Sequence, residues 1–389
     1  MTDRPREGNH TMAAPHPTAQ PARTGTRTGT GSGPVLHHSP ADLGTELLDG
    51  WRQLVATDPD GSWFATPEWV LAWWETLGPQ ADGTAAQAEI AVWHGPQGQV
   101  EAVVPLLRTR LRLHPRLPFT VRCLTLLGSG PGAADHCAPA AAVHRRDDVR
   151  AWLAERGRRT TLWLPGLDPS ATAVLPEGTR RVTGTACPRT DLTGGQDAQG
   201  SRQFRSTVRR YRRKLGAAGV TFRWVPPAGA AVEHLDAVLD LHGRRRTALG
   251  LSTTFDRHRR PLHVRLLERS AAVTGPDGDG PAFLLAEHEG DTVGALYGFR
   301  RGGTFAYYQI GWDPAWAPLR LGTVVIAEAV RTCAEQGLHT FDFLRGTEPY
   351  KYRFGAVDRW DGTHLLPRGA GGALLTLKHR LKERGVPAG

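Results

Sequence analysis

The residues best suited to chemistry lie in the segment from Thr304 to Gly355. Its sequence predicts a strand that ends at Gly311, a loop with two prolines, and a helix that begins close to Gly322. The first amides of a helix have no partner within the helix and carry a partial positive charge, so they bind phosphate groups well. We therefore predict an anion-binding site formed by Arg320, Leu321, Gly322 and Thr323.

Asp342 and Tyr350 follow in the same segment and could act on a substrate. Asp342 is a polar residue in an apolar strand pattern, and an isolated buried carboxylate is costly, so it should have a partner. It could be a base or an orienting acid for the acceptor nucleophile, or it could bind backbone amides or Lys351 in a structural role. Tyr350 could donate a proton to a leaving group, or it could be a packing residue.

Lys351 is one of only four lysines among the 48 basic residues of the chain. Where arginine is so dominant, an ammonium group retained in a Gly-x-x-x-Tyr-Lys turn suggests a specific role. It could bind a carboxylate or phosphate of the substrate, or stabilise negative charge that develops in a transition state. The alternative is an ordinary surface lysine.

Four further candidates lie elsewhere in the chain. His242 belongs to a predicted helix, where an imidazole near a cleft would serve as a base at neutral pH. Because the chain has 16 histidines, a structural role is the alternative. Asp135 and His136 end a glycine-rich loop that could close over an acceptor or simply turn the chain. Tyr308, in the strand before the anion site, is predicted to contact the substrate.

Hydrophobic periodicity predicts the elements that position these residues. In the first half we expect a helix that starts at Thr66-Pro67-Glu68 and stops at Gly78-Pro79. Strands at 88–94, 99–107 and 119–127, a helix at 146–157 and a strand at 160–164 follow. The second half has predicted helices at 201–218, 230–248, 257–273 and 320–336, and strands at 220–225, 282–288, 292–300, 304–312, 339–344 and 361–366. Twice, an antiparallel meander leads to a helix and a further strand. We predict an α/β protein with a disordered tail at 1–40 and domains at 41–195 and 196–389.

Composition and charge exclude several classes of protein. The formal net charge is +10, but the strong arginine bias, alongside 46 Gly and 29 Pro, reflects a GC-rich genome and is weak evidence for nucleic-acid binding. No stretch approaches the roughly 20 apolar residues that cross a bilayer, and the N-terminus lacks a secretory pattern. The four cysteines show no CxxC spacing, which argues against a disulfide framework or a zinc site. We predict a cytoplasmic protein without a metal or a transmembrane segment.

Three segments carry a resemblance to a known family: GSWFATPEWVLAWWETLG, FRSTVRRYRRKLGAAGVTF and FDFLRGTEPYKYRFG. In this order they resemble the GNAT-fold family named for the cellulose-biosynthesis CelD/BcsL proteins, whose members are similar to Fem peptidyltransferases. The resemblance implies two tandem GNAT-like domains with mixed, largely antiparallel central sheets. It also implies that the second domain carries the acyl-donor site.

The activity that this resemblance implies is N-acyl transfer, with acetyl transfer as the first choice. Acetyl-CoA or another acyl-CoA would donate, with its pyrophosphate at the start of the helix near Gly322. A small molecule or a polysaccharide precursor would accept through an amine or hydroxyl, and Asp342 or His242, directly or through water, would take its proton. Direct attack needs neither a covalent enzyme intermediate nor a metal. The loop departs from the GNAT pattern at Leu319, where glutamine or arginine is usual, so an aminoacyl-tRNA donor stays open.

A basic run from Arg202 to Lys214 contains seven cations and no acid. Four of them share one helix face: Arg205, Arg209, Arg212 and Arg213. This stripe could meet tRNA, lipid headgroups or the CoA phosphates, or it could be a solvated face. Tyr211 stands alone, so we expect no sequence-specific DNA binding. Two alternatives follow, a Fem-like aminoacyl-tRNA-dependent transferase acting on a cell-wall precursor and a non-catalytic GNAT scaffold that binds an anionic partner.

Overall fold

The structure is a computed structural model, which describes residues 33–58, 61–78, 87–113, 119–130, 134–194, 199–250, 256–273 and 278–384. Most of the predicted tail lies outside these residues, but its last part was predicted wrongly as disordered. Strand β1 (Val35–His37) pairs with the edge of the first meander. Val35 and Leu36 are exposed. Backbone hydrogen bonds alone can hold so short an edge strand, and composition does not reveal them.

The elements of the first half follow the predicted meander, helix and strand. Thr66 accepts a hydrogen bond from the Trp69 amide and Pro67 occupies the first turn, as the sequence of the second helix predicts. The elements are α1 (Thr45–Ala56), α2 (Pro67–Thr76), β2 (Gln87–His94), β3 (Val100–Arg112), β4 (Thr120–Leu126), β5 (Ala140–Ala141), α3 (Arg146–Arg159) and β6 (Thr161–Leu167).

The second half repeats this plan around a longer set of helices. Its elements are β7 (Arg180–Asp191), α4 (Arg202–Ala217), β8 (Thr221–Val225), α5 (Val232–Ala248), α6 (Asp256–Ala271), β9 (Gly280–His288), β10 (Asp291–Arg301), β11 (Thr304–Trp312), α7 (Leu321–Glu335), β12 (Thr340–Asp342), α8 (Pro349–Tyr352), β13 (Val357–Leu366) and α9 (Gly369–Arg384). Strand β7 was not predicted, because its sequence contains several charged residues and a proline and does not alternate regularly between apolar and polar residues. Among the described helices, none is long and apolar enough to cross a membrane.

One mixed sheet unites the two halves, where the sequence predicted separate central sheets. Its order is β1-β2-β3-β4-β6-β13-β7-β12-β11-β10-β9-β8, and β5 pairs with β3. Strand β13 joins the halves by pairing antiparallel with β6 on one side and β7 on the other. The parallel pairs β4–β6 and β11–β12 each follow a meander. The predicted α/β class and its repeated plan are confirmed. The domain boundary after residue 195 falls outside the described residues and stays a prediction.

The sheet opens between β11 and β12, and this opening forms the candidate site. The two strands pair only over three residues, the last being Ala306 opposite Asp342. Strand β11 continues to Trp312 without this neighbour, while β12 ends and the chain turns at Leu344 with a positive φ of 54°. A bulge adds to the divergence, because the register with β10 skips Tyr308. A cleft therefore opens along the second half of β11.

Candidate functional site

A cavity of about 350 Å³ fills the cleft between β11, α4, α7 and α8. Aromatic side chains supply much of its wall, among them Phe204, Tyr307, Trp312, Tyr350 and Phe354. A second cavity of about 480 Å³ adjoins it. The two share four lining residues: Phe204, Arg320, Thr323 and Arg353. Together they form a groove that runs from the opened sheet to the outer face of α4, and we call it the donor groove.

Helix α7 begins on the wall of this groove. Arg320 precedes it in the left-handed conformation, with φ of 53°. The amides of Thr323 and Val324 donate to the Arg320 carbonyl at 3.0 and 3.2 Å, so the amides of Leu321 and Gly322 come before the first helical bonds. A Cβ on Gly322 would lie 2.5 Å from Trp312 Nε1, so glycine is needed for this close approach.

The predicted anion-site residues are therefore brought together at the groove. Arg320, Gly322 and Thr323 line it, whereas the Leu321 side chain is buried in the core and only its backbone can contribute.

The charge in the groove is entirely positive. Its lining includes Arg210, Arg245, Arg320 and Arg353, and among the described residues that line either cavity none is acidic. Arg245 lies over the Trp312 ring at 5.1 Å, and Arg353 lies over the Phe204 ring at 5.9 Å. Stacking on a ring holds the plane of a guanidinium while its N–H groups stay able to bind an anion. The groove thus suits a ligand that is both apolar and polyanionic.

Tyr307 and Tyr350 both line the groove, and their hydroxyls are close enough to influence each other's pKa. Burial raises the pKa of both hydroxyls, so both stay protonated at neutral pH. A protonated phenol can donate to a developing anion, which is the role predicted for Tyr350.

Lys351 is neither a substrate-facing cation nor a surface lysine, the two alternatives that the sequence left open. Its side chain is 4% exposed, and Nζ lies 2.9 Å from Glu348 Oε2. Nζ also donates to the carbonyls of Leu344, Arg345 and Gly346, at 3.2, 2.8 and 3.1 Å. These bonds hold the turn after β12 against α8, so the contacts of Lys351 are structural and position its neighbour Tyr350.

Asp342 and His136 meet in a separate group of ionisable side chains, which we call the buried charge cluster. His136 Nε2 lies 3.1 Å from Asp342 Oδ2 at a poor hydrogen-bonding angle, so this contact is chiefly Coulombic. On its other side, His136 donates two hydrogen bonds to the Asp361 carboxylate. The backbone N–H bond is 2.7 Å long and the Nδ1 bond is 2.8 Å long. The members of the cluster are Asp135, His136, Asp168, Asp342, Arg345, Arg359 and Asp361.

Ionisation in this cluster argues against Asp342 as a base. Burial opposes the charge on His136, but Asp342 and Asp361 raise its pKa well above 6.5. Burial likewise opposes the charge on Asp342, but His136 and the Leu344 amide, which donates to Oδ1 at 2.7 Å, lower its pKa. A base should titrate near the working pH, and a carboxylate held this strongly does not.

Asp135 lies in the same cluster and not over the groove. Its carboxylate binds the Arg345 side chain and accepts from the Arg345 amide at 3.2 Å. Burial raises its pKa, although Arg345 opposes the shift. The loop that carries Asp135 and His136 is thus fixed against the turn after β12 in the second half.

Neither His242 nor Tyr308 is among the described residues that line the donor groove. His242 Nδ1 donates to the Ile310 carbonyl at 3.2 Å, which makes Nε2 the basic nitrogen, and Arg245 follows one turn later in α5. Tyr308 packs among Phe299 and His263, with ring centroids at 5.4 and 5.0 Å. Burial raises the pKa of its hydroxyl.

One group in the described residues has the composition of a metal site. Ligand atoms of His136, Cys187 and Asp361 lie within 4.8 Å of one another. Burial and the nearby carboxylates raise the pKa of the Cys187 thiol, which opposes the thiolate that a metal requires. His136 already shares its proton with Asp361. The prediction of a protein without a metal stays a prediction.

Several residues of both regions were missed by sequence reasoning. Arg245 and Arg353 were indistinguishable among the many arginines of the chain. Asp361 and Asp168 lie far from His136 in sequence, and no local spacing relates them to it. Arg345 follows three residues after Asp342 in the FDFLRG motif, which was a usable signal.

Comparison with known proteins identifies the fold of this site. Residues 202–352 match the acetyltransferase (GNAT) domain family. No curated protein sequence matches the chain. FemX has a similar structure, with a TM-score of 0.59 and 12% identity over 85% of this chain and 98% of FemX.

Two further structures share the fold. One is a conserved protein of unknown function from Bacteroides thetaiotaomicron, with a TM-score of 0.53 and 12% identity over 85% of this chain and 99% of that protein. The other is the C-terminal domain of a putative lysylphosphatidylglycerol synthetase from Agrobacterium fabrum. It has a TM-score of 0.51 and 13% identity over 88% of this chain and 97% of that domain. Residues 202–352 are thus similar to a GNAT domain, in a chain whose overall fold is similar to that of FemX.

Proposed function

We propose that the chain is an acyl-CoA-dependent N-acyltransferase. The observation that carries the proposal is the donor groove, which combines an aromatic wall, the open N-terminus of α7 and four arginines without an acid among its described lining residues. The apolar part suits an acyl chain and its pantetheine arm, and the positive part suits pyrophosphate. The GNAT match of residues 202–352 supports the same activity.

The proposed reaction is direct attack of the acceptor on the thioester carbonyl. The amides of Leu321 and Gly322 and the arginines hold the donor, so that the carbonyl lies by the bulge of β11. As the C–S bond breaks, Tyr350 gives its proton to the leaving thiolate. We favour His242 over Asp342 as the group that takes the proton of the acceptor, because Asp342 is bound to His136.

The acceptor and the location of the protein remain proposals from the sequence. The CelD/BcsL resemblance favours a small molecule or a polysaccharide precursor, acetyl as the transferred group, and the cytoplasm. Residues 196–389 would carry the donor site and residues 41–195 would shape the acceptor side.

An aminoacyl-tRNA donor is the second candidate, and a specific observation favours it. Helix α4 exposes Arg202, Arg209, Arg212 and Arg213 beside the outer end of the donor groove. An exposed basic stripe next to a donor site could bind the backbone of a tRNA. The similarity to FemX shows the fold and does not decide between the two donors.

Ligand-dependent stabilisation separates these possibilities. The melting temperature of the full chain would be measured with acetyl-CoA, a longer acyl-CoA, and charged tRNA. A ligand at about 100 times its Kd should add roughly 2.7 kcal/mol to the free energy of unfolding. Stabilisation by a CoA thioester supports the proposal. Stabilisation by charged tRNA alone would favour the second candidate, an aminoacyl-tRNA donor. An unchanged melting temperature with every ligand would indicate a non-catalytic scaffold.

A further inference from the structure

Three cations gather around one tyrosine at the outer end of the donor groove. The side-chain charges of Arg210, Lys214 and Arg320 lie over the Tyr211 ring, at 5.0, 5.6 and 5.2 Å from its centroid. Arg210 and Lys214 are one turn apart on α4, whereas Arg320 comes from the residue before α7. Two elements distant in sequence thus bring three positive charges to one point, which we call the Tyr211 cation cluster.

No acid neutralises this cluster within the described part of the chain. The acid that α7 presents toward α4 is Glu328, which is engaged by Arg212 at 2.5 Å and by Arg331 at 2.7 Å. Arg212 therefore has a partner, while Arg210, Lys214 and Arg320 form no ion pair with a described carboxylate. Like charges held together repel each other, and stacking on a tyrosine offsets only part of that repulsion. An arrangement of this kind is stabilised when an anion binds.

The position of the cluster relative to the α7 amides indicates which anion. Arg320 and Thr323 line both cavities, so the second cavity continues directly from the proposed pyrophosphate site. Its volume of about 480 Å³ is large enough for a nucleoside, and Gln203 and Thr207 offer hydrogen bonds. A phosphomonoester carries nearly two negative charges at neutral pH, whereas a phosphodiester carries one. Three unpaired cations match the monoester better.

We propose that the Tyr211 cation cluster binds a phosphomonoester on the nucleotide part of the donor, which in coenzyme A is the 3′-phosphate. This assignment rests on the proposed function, and it adds a way for the chain to select among acyl donors. The chain would discriminate phosphorylated CoA thioesters from acyl donors that lack this group, such as acyl-pantetheine compounds. Tyr211 would hold the cations in place.

Titration calorimetry with CoA and 3′-dephospho-CoA tests the proposal. The wild-type chain should bind CoA about 10- to 100-fold more tightly, in line with charge-assisted hydrogen bonds to a single phosphate. In a chain carrying both Arg210→Gln and Lys214→Gln, the ratio should fall below about threefold, chiefly through weaker CoA binding. Arg213→Gln is the matched control, because it removes one exposed charge of the same helix without touching the Tyr211 ring.

The outcomes distinguish this proposal from the one on which it rests. Equal wild-type affinity for the two compounds would overturn the 3′-phosphate assignment and leave acyl-CoA use intact. Binding of neither compound would overturn both. If Arg213→Gln lowered the ratio as much as the double variant, the effect would be one of general charge, and the cluster would lose its role. Melting temperatures of all variants should match the wild type, since each altered side chain is exposed.

Discussion

The donor groove and the buried charge cluster contain similar charged groups but use them in opposite ways. Among the described lining residues, the groove presents arginines and no acid, with guanidinium groups stacked on aromatic rings. The cluster contains four aspartates together with His136, Arg345 and Arg359. Arg359 lies 2.5 Å from Asp168, and His136 lies 3.1 Å from Asp342. Charge left unpaired is available to a ligand, whereas charge paired internally is not. The comparison therefore separates binding from structure.

The two regions also differ in the parts of the chain that they join. His136 binds Asp361 across 225 residues, and Asp135 binds Arg345 across 210. The cluster thus joins the loop after β4 to the strands of the second half. The described residues that line the groove all lie between 201 and 354, in the second half of the chain. Changes in the cluster should act on stability first, and changes in the groove should act on affinity or rate first.

His136→Ala should have the largest effect. The substitution leaves Asp342 and Asp361 buried without their shared cation, and breaking a buried pair in this way costs about 3–5 kcal/mol. Urea unfolding would measure the loss. His144→Ala is a suitable control, because the His144 side chain is 63% exposed and Glu101 keeps Arg145 as a partner at 2.7 Å. Equal losses in the two variants would contradict a structural role for the cluster.

Tyr350→Phe should act on rate and not on stability. Loss of the hydroxyl removes the proposed proton donor while the ring still packs, so kcat should fall by about 100-fold. The Kd for acyl-CoA should change by less than about threefold, because the hydroxyl acts on the leaving group in the transition state. Steady-state kinetics would measure kcat, and titration calorimetry would measure the Kd for acyl-CoA. An unchanged kcat would remove Tyr350 from the mechanism.

Gly322→Ala should weaken donor binding by about tenfold, because the new methyl group overlaps the Trp312 indole and must displace the wall of the groove. Gly216→Ala in α4 is the matched control, since a Cβ there meets no atom within 4 Å. That control should bind the donor normally and be slightly more stable. Loss of affinity in the control alone would show that the groove does not depend on the Gly322 contact.

The pH dependence of stability tests the same cluster without a change in its contacts, at about 1.4 kcal/mol for each unit of pKa shift. Because the pKa of His136 is raised in the folded state, protonation of His136 stabilises the fold fully at pH values below 6.5, its usual pKa. This contribution is lost as the pH rises through the pKa of the folded state. Because the pKa of Asp342 is lowered in the folded state, its ionised carboxylate stabilises the fold at pH values above 3.8, its usual pKa. This contribution is lost as the pH falls through the pKa of the folded state. Unfolding of wild type and His136→Asn from pH 3 to 10 would test this. The variant should lose the alkaline decline, and an identical profile would contradict the assignment.

Local sequence patterns predicted most of the fold because they depend on neighbouring residues. The meanders, α7 and the capped start of α2 follow from periodicity and from Thr66-Pro67. The anion site was predicted for the same reason, since Gly322 marks a helix start. The burial of Lys351 could not be predicted, because three backbone carbonyls of a neighbouring turn are its partners. The cluster around His136 depends on contacts across more than 190 residues, which no local pattern records.

The position of β13 also determines when the sheet can be completed during synthesis. This strand leaves the ribosome after every other described strand of the sheet, yet it lies in the middle of the sheet, between β6 and β7. Until residues 357–366 emerge, both of those strands present open edges, and Asp361 is not yet available to His136. Open edges are sites of wrong pairing, and contacts between distant segments form slowly. The nascent chain should therefore depend on protection from chaperones until its last strand arrives.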